Sequence, residues 1–152
     1  MKQYIIDGNN LIGKIKSLMS IQKKDKQGAR EKLVMLLDSY FHEKKAAVSL
    51  HLDGFAGESL GTSRLRIYYS GKKTADEKIK EQIGKSDSPR NIILVTSDSN
   101  LAQYAKVCSC EIRSSENFAL NLSGNSSEID EEKKRIAELN NPEEFKKLFG
   151  AK

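Results

Sequence analysis

Three aspartates in this chain each stand where an apolar run stops. Asp7 follows Tyr4-Ile5-Ile6, Asp53 closes the run from Ala46 to Leu52, and Asp98 follows Asn91 to Val95 through Thr96 and Ser97. A fourth, Asp76, lies in Thr74-Ala75-Asp76-Glu77, where Thr and Glu three residues apart form the signature of a capping box. Carboxylates brought together repel one another, and their pKa values rise unless cations neutralise them. With oxygen ligands alone, and no His or Cys pair beside them, Mg²⁺ or Mn²⁺ suits such a group better than zinc. The chemistry open to it is phosphodiester hydrolysis. One bound ion lowers the pKa of an attacking water, and a second stabilises the leaving oxygen. Asn9 and Asn10 are placed to orient an acid or touch a phosphate, Asn10 being the favoured helper, while Thr96 and Ser97 are candidate hydrogen-bond donors around the site. Every one of these residues also has an ordinary structural explanation. Asp-Gly at 7–8 and 53–54 is a turn signal, Asp98 is placed to cap a helix, and Asp76 suits a helix N-terminus. Joint action requires that distant parts of the chain bring the four acids to one place.

The elements that must do so are legible as an alternation. Short strands are expected at Tyr4–Ile6, Ala46–Leu52, Leu65–Tyr69, Asn91–Val95 and Cys110–Arg113, the third nearer an edge. Between them, Leu33, Leu36, Leu37, Tyr40 and Phe41 form an amphipathic stripe within a helix from Ala29 to Lys45. Further helices are predicted after Thr74, at Asn100–Lys106 and at Ser115–Leu122. Asp7-Gly8-Asn9-Asn10 reads as a turn leading into a loop. Strands alternating with helices imply an α/β fold in three layers, a central parallel sheet flanked by helices. In such a sheet ligands bind beyond the carboxyl ends of the strands, where strand order reverses. Asp7, Asp53 and Asp98 fall at such ends, and a crossover of the usual hand brings Asp76 to the same rim.

The length of 152 residues suits one domain, and 38% hydrophobic with 31% charged residues describes a folded, well-solvated chain. No run approaches the ~20 apolar residues of a membrane span, and the first residues do not read as a signal peptide, so a cytoplasmic protein is expected. Cys108 and Cys110, the only cysteines, are too close in sequence to bridge and read as structural thiols. Acids outnumber bases by one from Glu128 to Lys152, so residues 1–127 carry +6 of the net +5. That surplus favours a polyanionic partner, nucleic acid above all. Lys14, Lys16, Lys23, Lys24 and Lys26 flank the first loop, and Arg64, Arg66, Lys72 and Lys73 flank the Asp76 helix. Both groups are expected beside the rim. Lys14, Arg64, Lys72 and Lys73 are the candidates for contact with a single RNA strand, with Tyr68 or Tyr69 as a stacking surface. His42 and His51 read as structural.

Tyr4-Ile-Ile-Asp-Gly-Asn-Asn-Leu-Ile12, Thr74-Ala-Asp-Glu77 and Val95-Thr-Ser-Asp98 together resemble the NYN branch of the PIN-like nucleases, and within it the bacterial YacP-like endoribonucleases. The likeness covers about residues 1–122, leaving 123–152 as a charged helical extension. It implies a PIN-like three-layer fold and metal-dependent cleavage of RNA, with Asp7, Asp76 and Asp98 at the positions of the family's metal-binding acids. It also implies a link to messenger RNA decay and a translating ribosome as partner. Two departures stand out: Lys73 occupies a place where family members often carry an acid, and the tail after Leu122 differs in charge. Lys73 leaves open a second reading, a non-catalytic RNA-binding module that keeps the fold and turns nothing over. A phosphotransferase fits poorly, because Asn9 stands where a second acid would be needed and no G-x-x-x-x-G-K-[ST] occurs. These residues do not distinguish RNA from DNA.

Overall fold

The computed structural model describes residues 1–62 and 64–124. From residue 125 onward, the charged helical extension expected at 123–152 lies outside them. The chain divides into compact units Met1–Ala119 and Leu120–Lys152, and all the strands belong to the first. In chain order they and their helices are β1 (Lys2–Asp7), α1 (Gly8–Ile12), α2 (Lys16–Lys24), α3 (Lys26–Phe41), β2 (Ala46–Leu52), β3 (Arg66–Tyr69), α4 (Ala75–Gly84), β4 (Ile92–Val95), α5 (Ser99–Val107), β5 (Glu111–Arg113) and α6 (Ser115–Gly124). No helix among the described residues is long and apolar enough to cross a membrane.

Every strand pairing is parallel, and the order across the sheet is β3-β2-β1-β4-β5. β1 lies in the middle because its residues are apolar on both faces: Tyr4, Ile5 and Ile6 are all buried. The two faces receive alternate side chains. Ile5 packs with Leu94 of β4 and with Ile79, Ile83, Leu101 and Ala105 of α4 and α5, a cluster that also takes in Cys110. Tyr4 meets Phe41 of α3 edge-on at 4.8 Å between ring centroids, and Phe118 of α6 at 6.2 Å. Both cysteines are free thiols, and burial pushes the Cys110 thiol up from its ordinary pKa.

The first loop is the main departure from the sequence expectation. Asp7-Gly8-Asn9-Asn10 is a strand that passes directly into the short helix α1, and the lysine-rich stretch after it forms α2. Gly8 makes this possible. A Cβ there would stand 2.7 Å from the His51 carbonyl oxygen and 2.7 Å from Leu52 Cδ2, so α1 lies against β2 too closely for any side chain. The capping box of α4 is formed as predicted: Thr74 Oγ1 accepts from the Glu77 amide at 3.2 Å, and Glu77 Oε1 accepts from the Thr74 amide at 3.1 Å. β3, at the edge, is half-buried.

A candidate active site at the carboxyl rim of the sheet

The strand order reverses between β1 and β4, because the chain runs outward from β1 through β2 to β3 and then returns to the other side of β1. Asp7 ends β1 and Thr96-Ser97-Asp98 follow β4, so these residues flank the reversal point where ligands enter parallel sheets. Asp7 is 9% exposed. Its Oδ2 accepts from Thr96 Oγ1 at 2.9 Å, and the same hydroxyl oxygen accepts from the Asp98 amide at 3.1 Å. Burial is the main cause that pushes the Asp7 carboxyl up from 3.8 to about 6; the charges of Asp53 and Asp98 add to it, against the hydrogen bonds from Thr96 and the Asn10 amide. The site therefore holds a carboxylate that costs free energy to ionise.

The two asparagines after Asp7 reach to opposite sides. Asn9 Oδ1 accepts from the Asp53 amide at 2.9 Å, fixing the end of β2, and Asn10 Oδ1 accepts from the Ser97 amide at 2.9 Å and from Ser115 Oγ at 2.7 Å, fixing the end of β4. Asn10 thus positions the segment that carries Asp98. Asn9 does the same for Asp53, a role the sequence left open. Asp53, exposed at its carboxylate, accepts from the Ala75 amide through Oδ1 at 2.7 Å, which ties the N-terminus of α4 to the rim. Asp76 is the next residue. Its Oδ2 lies 3.6 Å from Lys80 Nζ, while its Oδ1 is buried and without a hydrogen-bond partner among the described residues. Asp98 Oδ1 accepts from the Asn100 and Leu101 amides at 2.9 and 3.2 Å, so this acid caps α5 while standing exposed at the rim.

A further acid comes from α6. Glu116 Oε1 accepts from Ser97 Oγ, and its Oε2 is 3.3 Å from Lys14 Nζ; the Ser97 hydrogen bond, foremost, holds its carboxyl below the usual pKa. The sequence signal for it was a carboxylate in the first helical turn after β5, the position of a rim residue in any parallel strand-to-helix connection.

The basic residues separate. Lys14 is beside the rim, paired with Glu116, and exposed Lys72 follows the end of β3. Lys73 lies 2.6 Å from Glu81 and is turned along α4. Arg64 is not at the rim. It precedes β3, and its guanidinium donates to the carbonyls of Phe41 at 3.1 Å, Lys44 at 2.7 Å and Ala46 at 3.1 Å, at the amino-terminal end of β2. Lys16, Lys23, Lys24 and Lys26 are exposed on α2 and at the start of α3. Tyr68 stacks on His51 at 4.9 Å, and Tyr69 lies under the Arg30 guanidinium at 5.3 Å, so both rings are occupied within the chain. His51 is structural as expected: it meets Gln82 Oε1 at 2.7 Å, and burial lowers its pKa.

The donors at the rim are carboxylate oxygens, and their chemistry fits a hard divalent cation. Among the described residues no three His, Cys, Asp or Glu side chains converge to the spacing of a direct ligand shell. Such ions commonly take one or two carboxylates and complete their shells with water and substrate phosphate, so a closed cage is not required. The orphaned Asp76 Oδ1 and the raised pKa of Asp7 are each a frustration that a cation bound beside that carboxyl would relieve.

Comparison with known proteins agrees with this architecture. Among solved structures, Rae1 (YacP) from Bacillus subtilis is similar with a TM-score of 0.70 and 19% identity, over 91% of this chain and 83% of that one. Its W164L mutant is similar with a TM-score of 0.66 and 18% identity, over 91% and 80%. At such identities the likeness speaks for the fold. No curated protein matches the chain. The model of the family described as the YacP-like NYN domain matches residues 4–149, nearly the whole sequence. The chain belongs to the YacP-like NYN domain family, whose character is that of a nuclease.

Proposed function

We propose that this chain is a cytoplasmic, metal-dependent endoribonuclease that hydrolyses phosphodiester bonds in single-stranded RNA, messenger RNA at the ribosome being its natural substrate. The observation that carries the reading is Asp7: a buried carboxylate at the strand-order reversal, hydrogen-bonded to the Thr96 hydroxyl and raised to about pKa 6 with Asp53 and Asp98 near enough to contribute. Asp7, Asp76 and Asp98 would hold Mg²⁺ or Mn²⁺, with Asp53 assisting. When bound, the ion supplies Lewis acidity and a water of lowered pKa. Asp7 confers the charge, Thr96 and Asn10 hold it and Asp98 in register, and Asp53 keeps the N-terminus of α4, and so Asp76, at the rim. Lys14 and Lys72 offer positive charge to the RNA backbone on either side. Lys73, which raised the alternative of a binding module without catalysis, has its ammonium beside Glu81, so its charge is directed along α4.

The test is cleavage of a labelled single-stranded RNA in Mg²⁺, Mn²⁺ or chelator, with and without ribosomes. Cutting is expected with metal only, and Asp7→Asn and Asp98→Asn should each lower it by at least about 100-fold. An intact protein that binds RNA but leaves it whole under all these conditions would sink the catalytic reading in favour of the binding module.

A further inference from the structure

We propose that Phe55 is a stacking platform for a nucleobase of the strand held at the acid rim, and that Arg30 is the positioning residue that fixes it. The proposal rests on the RNA-directed reading above. It begins from the two tyrosines: His51 stacks on one face of Tyr68, Arg30 sits over one face of Tyr69, and both are half-buried, so neither projects its ring into solvent. Phe55 does. It is 67% exposed, while every other Phe and Tyr among the described residues is half-buried or buried, Phe41 and Phe118 fully so.

A single exposed apolar side chain is ordinary on a protein surface. Phe55 differs in how firmly its backbone is held. Gly54 adopts φ +89°, its amide donates to Ser70 Oγ at 2.9 Å, and its carbonyl accepts from the Gly71 amide at 2.8 Å. On either side of Gly54, the carbonyls of Asp53 and Phe55 accept from the two terminal nitrogens of Arg30, at 2.7 and 3.1 Å. Arg30 is 4% exposed, so a buried cation is devoted to two carbonyls of a surface turn. One edge of the Phe55 ring rests over Gly71, 3.7 Å from where a Cβ on that glycine would stand. Burying such a ring lowers its free energy, and an apolar surface pinned open in water awaits a partner. Its place indicates which. Phe55 is two residues beyond Asp53, within about 7 Å along the chain, and exposed Lys72 follows the glycine it rests on. An aromatic face beside a cation and a phosphodiester-cleaving rim is the combination that holds single-stranded nucleic acid: the cation meets the backbone, and the ring takes a base of any sequence.

The test uses the full chain and a short single-stranded RNA carrying 2-aminopurine, whose fluorescence falls on stacking, in chelator so that nothing is cut. Binding to the intact protein should quench the probe. Phe55→Ala should abolish the quench and weaken binding about 5- to 100-fold without changing its salt dependence, and Phe55→Trp should restore both. Lys72→Ala should keep the quench and flatten the log-log salt slope by about 0.7. Arg30→Lys, which keeps the charge but not the fork across two carbonyls, should reduce the quench. Melting temperatures separate these effects from misfolding, and an exposed ring predicts none for Phe55→Ala. Equal affinity and equal quench in Phe55→Ala would overturn the proposal, and metal-dependent cleavage by the same variant would leave the endoribonuclease reading standing. Conversely, a Phe55-dependent quench in a chain that never cuts RNA upholds the platform and removes the catalysis. No binding by the intact protein overturns the platform, and cleavage by that protein in Mg²⁺ or Mn²⁺ then decides the endoribonuclease reading separately.

Discussion

Asp7 is the residue on which stability and the proposed function pull in opposite directions. Its folded pKa of about 6 lies above its unfolded value near 3.8, so the native state binds the proton more tightly. The stability that protonated Asp7 contributes is complete below about pH 4 and is lost as pH rises through 6. In chelator, Asp7→Asn should therefore be more stable than the parent at pH 8 by about 1–3 kcal/mol, the gap closing at pH 4. Thermal melts at the two pH values check it, and an equal gap at both would remove the strained carboxylate. Added Mg²⁺ should raise the melting point of the parent at pH 8 and leave that of the variant nearly unchanged. The sequence disclosed Asp7, Asp53 and Asp98 because each follows an apolar run that a carboxylate cannot continue, and Asp76 through the capping box around it. It did not disclose Arg30, whose role depends on a turn 23 to 25 residues away, nor Phe55, since exposure of an aromatic side chain is a property of the packed fold.

Among the elements, α1 is the one whose smallest residue matters most. With a Cβ at position 8 only 2.7 Å from the His51 carbonyl, Gly8→Ala forces α1 away from β2. A loss of about 1–3 kcal/mol is expected in denaturant titrations. Cleavage should fall further than stability alone explains, because Asn9 and Asn10 ride on the displaced helix. A variant that keeps parental stability would show that the close approach is dispensable. Strand positions were readable from β-branched and apolar runs, and α4 from its capping box. α1 and α2 were not, because Gly and Asn are turn-formers by intrinsic preference and Lys16–Lys24 is mostly polar, with Leu18, Met19 and Ile21 its only apolar residues; the tertiary packing of Leu11, Ile12 and Leu18 overrides both.

At the scale of the whole molecule, the positive charge is sorted by the direction of the strands. In a parallel sheet the residues after a strand lie at the rim and those before it lie at the opposite end. Arg64, before β3, was misplaced by its nearness in sequence to the rim loops; its three carbonyl contacts make it a strap at the far end. Arg64→Ala should cost about 1–3 kcal/mol of stability and leave the salt slope of RNA binding unaltered. A flattened slope in that variant would return Arg64 to the RNA face.

The central place of β1 also governs when the molecule is competent. Ile5 is paired with Ser49 on one side and Leu94 on the other, so its amide is released to exchange only when the sheet as a whole opens. The strand that bears Asp7 is made some ninety residues before its neighbour β4, a separation of the kind that slows folding. A chain emerging from synthesis carries Asp7 without its partners, and its rim acids come together in the same event that closes the fold.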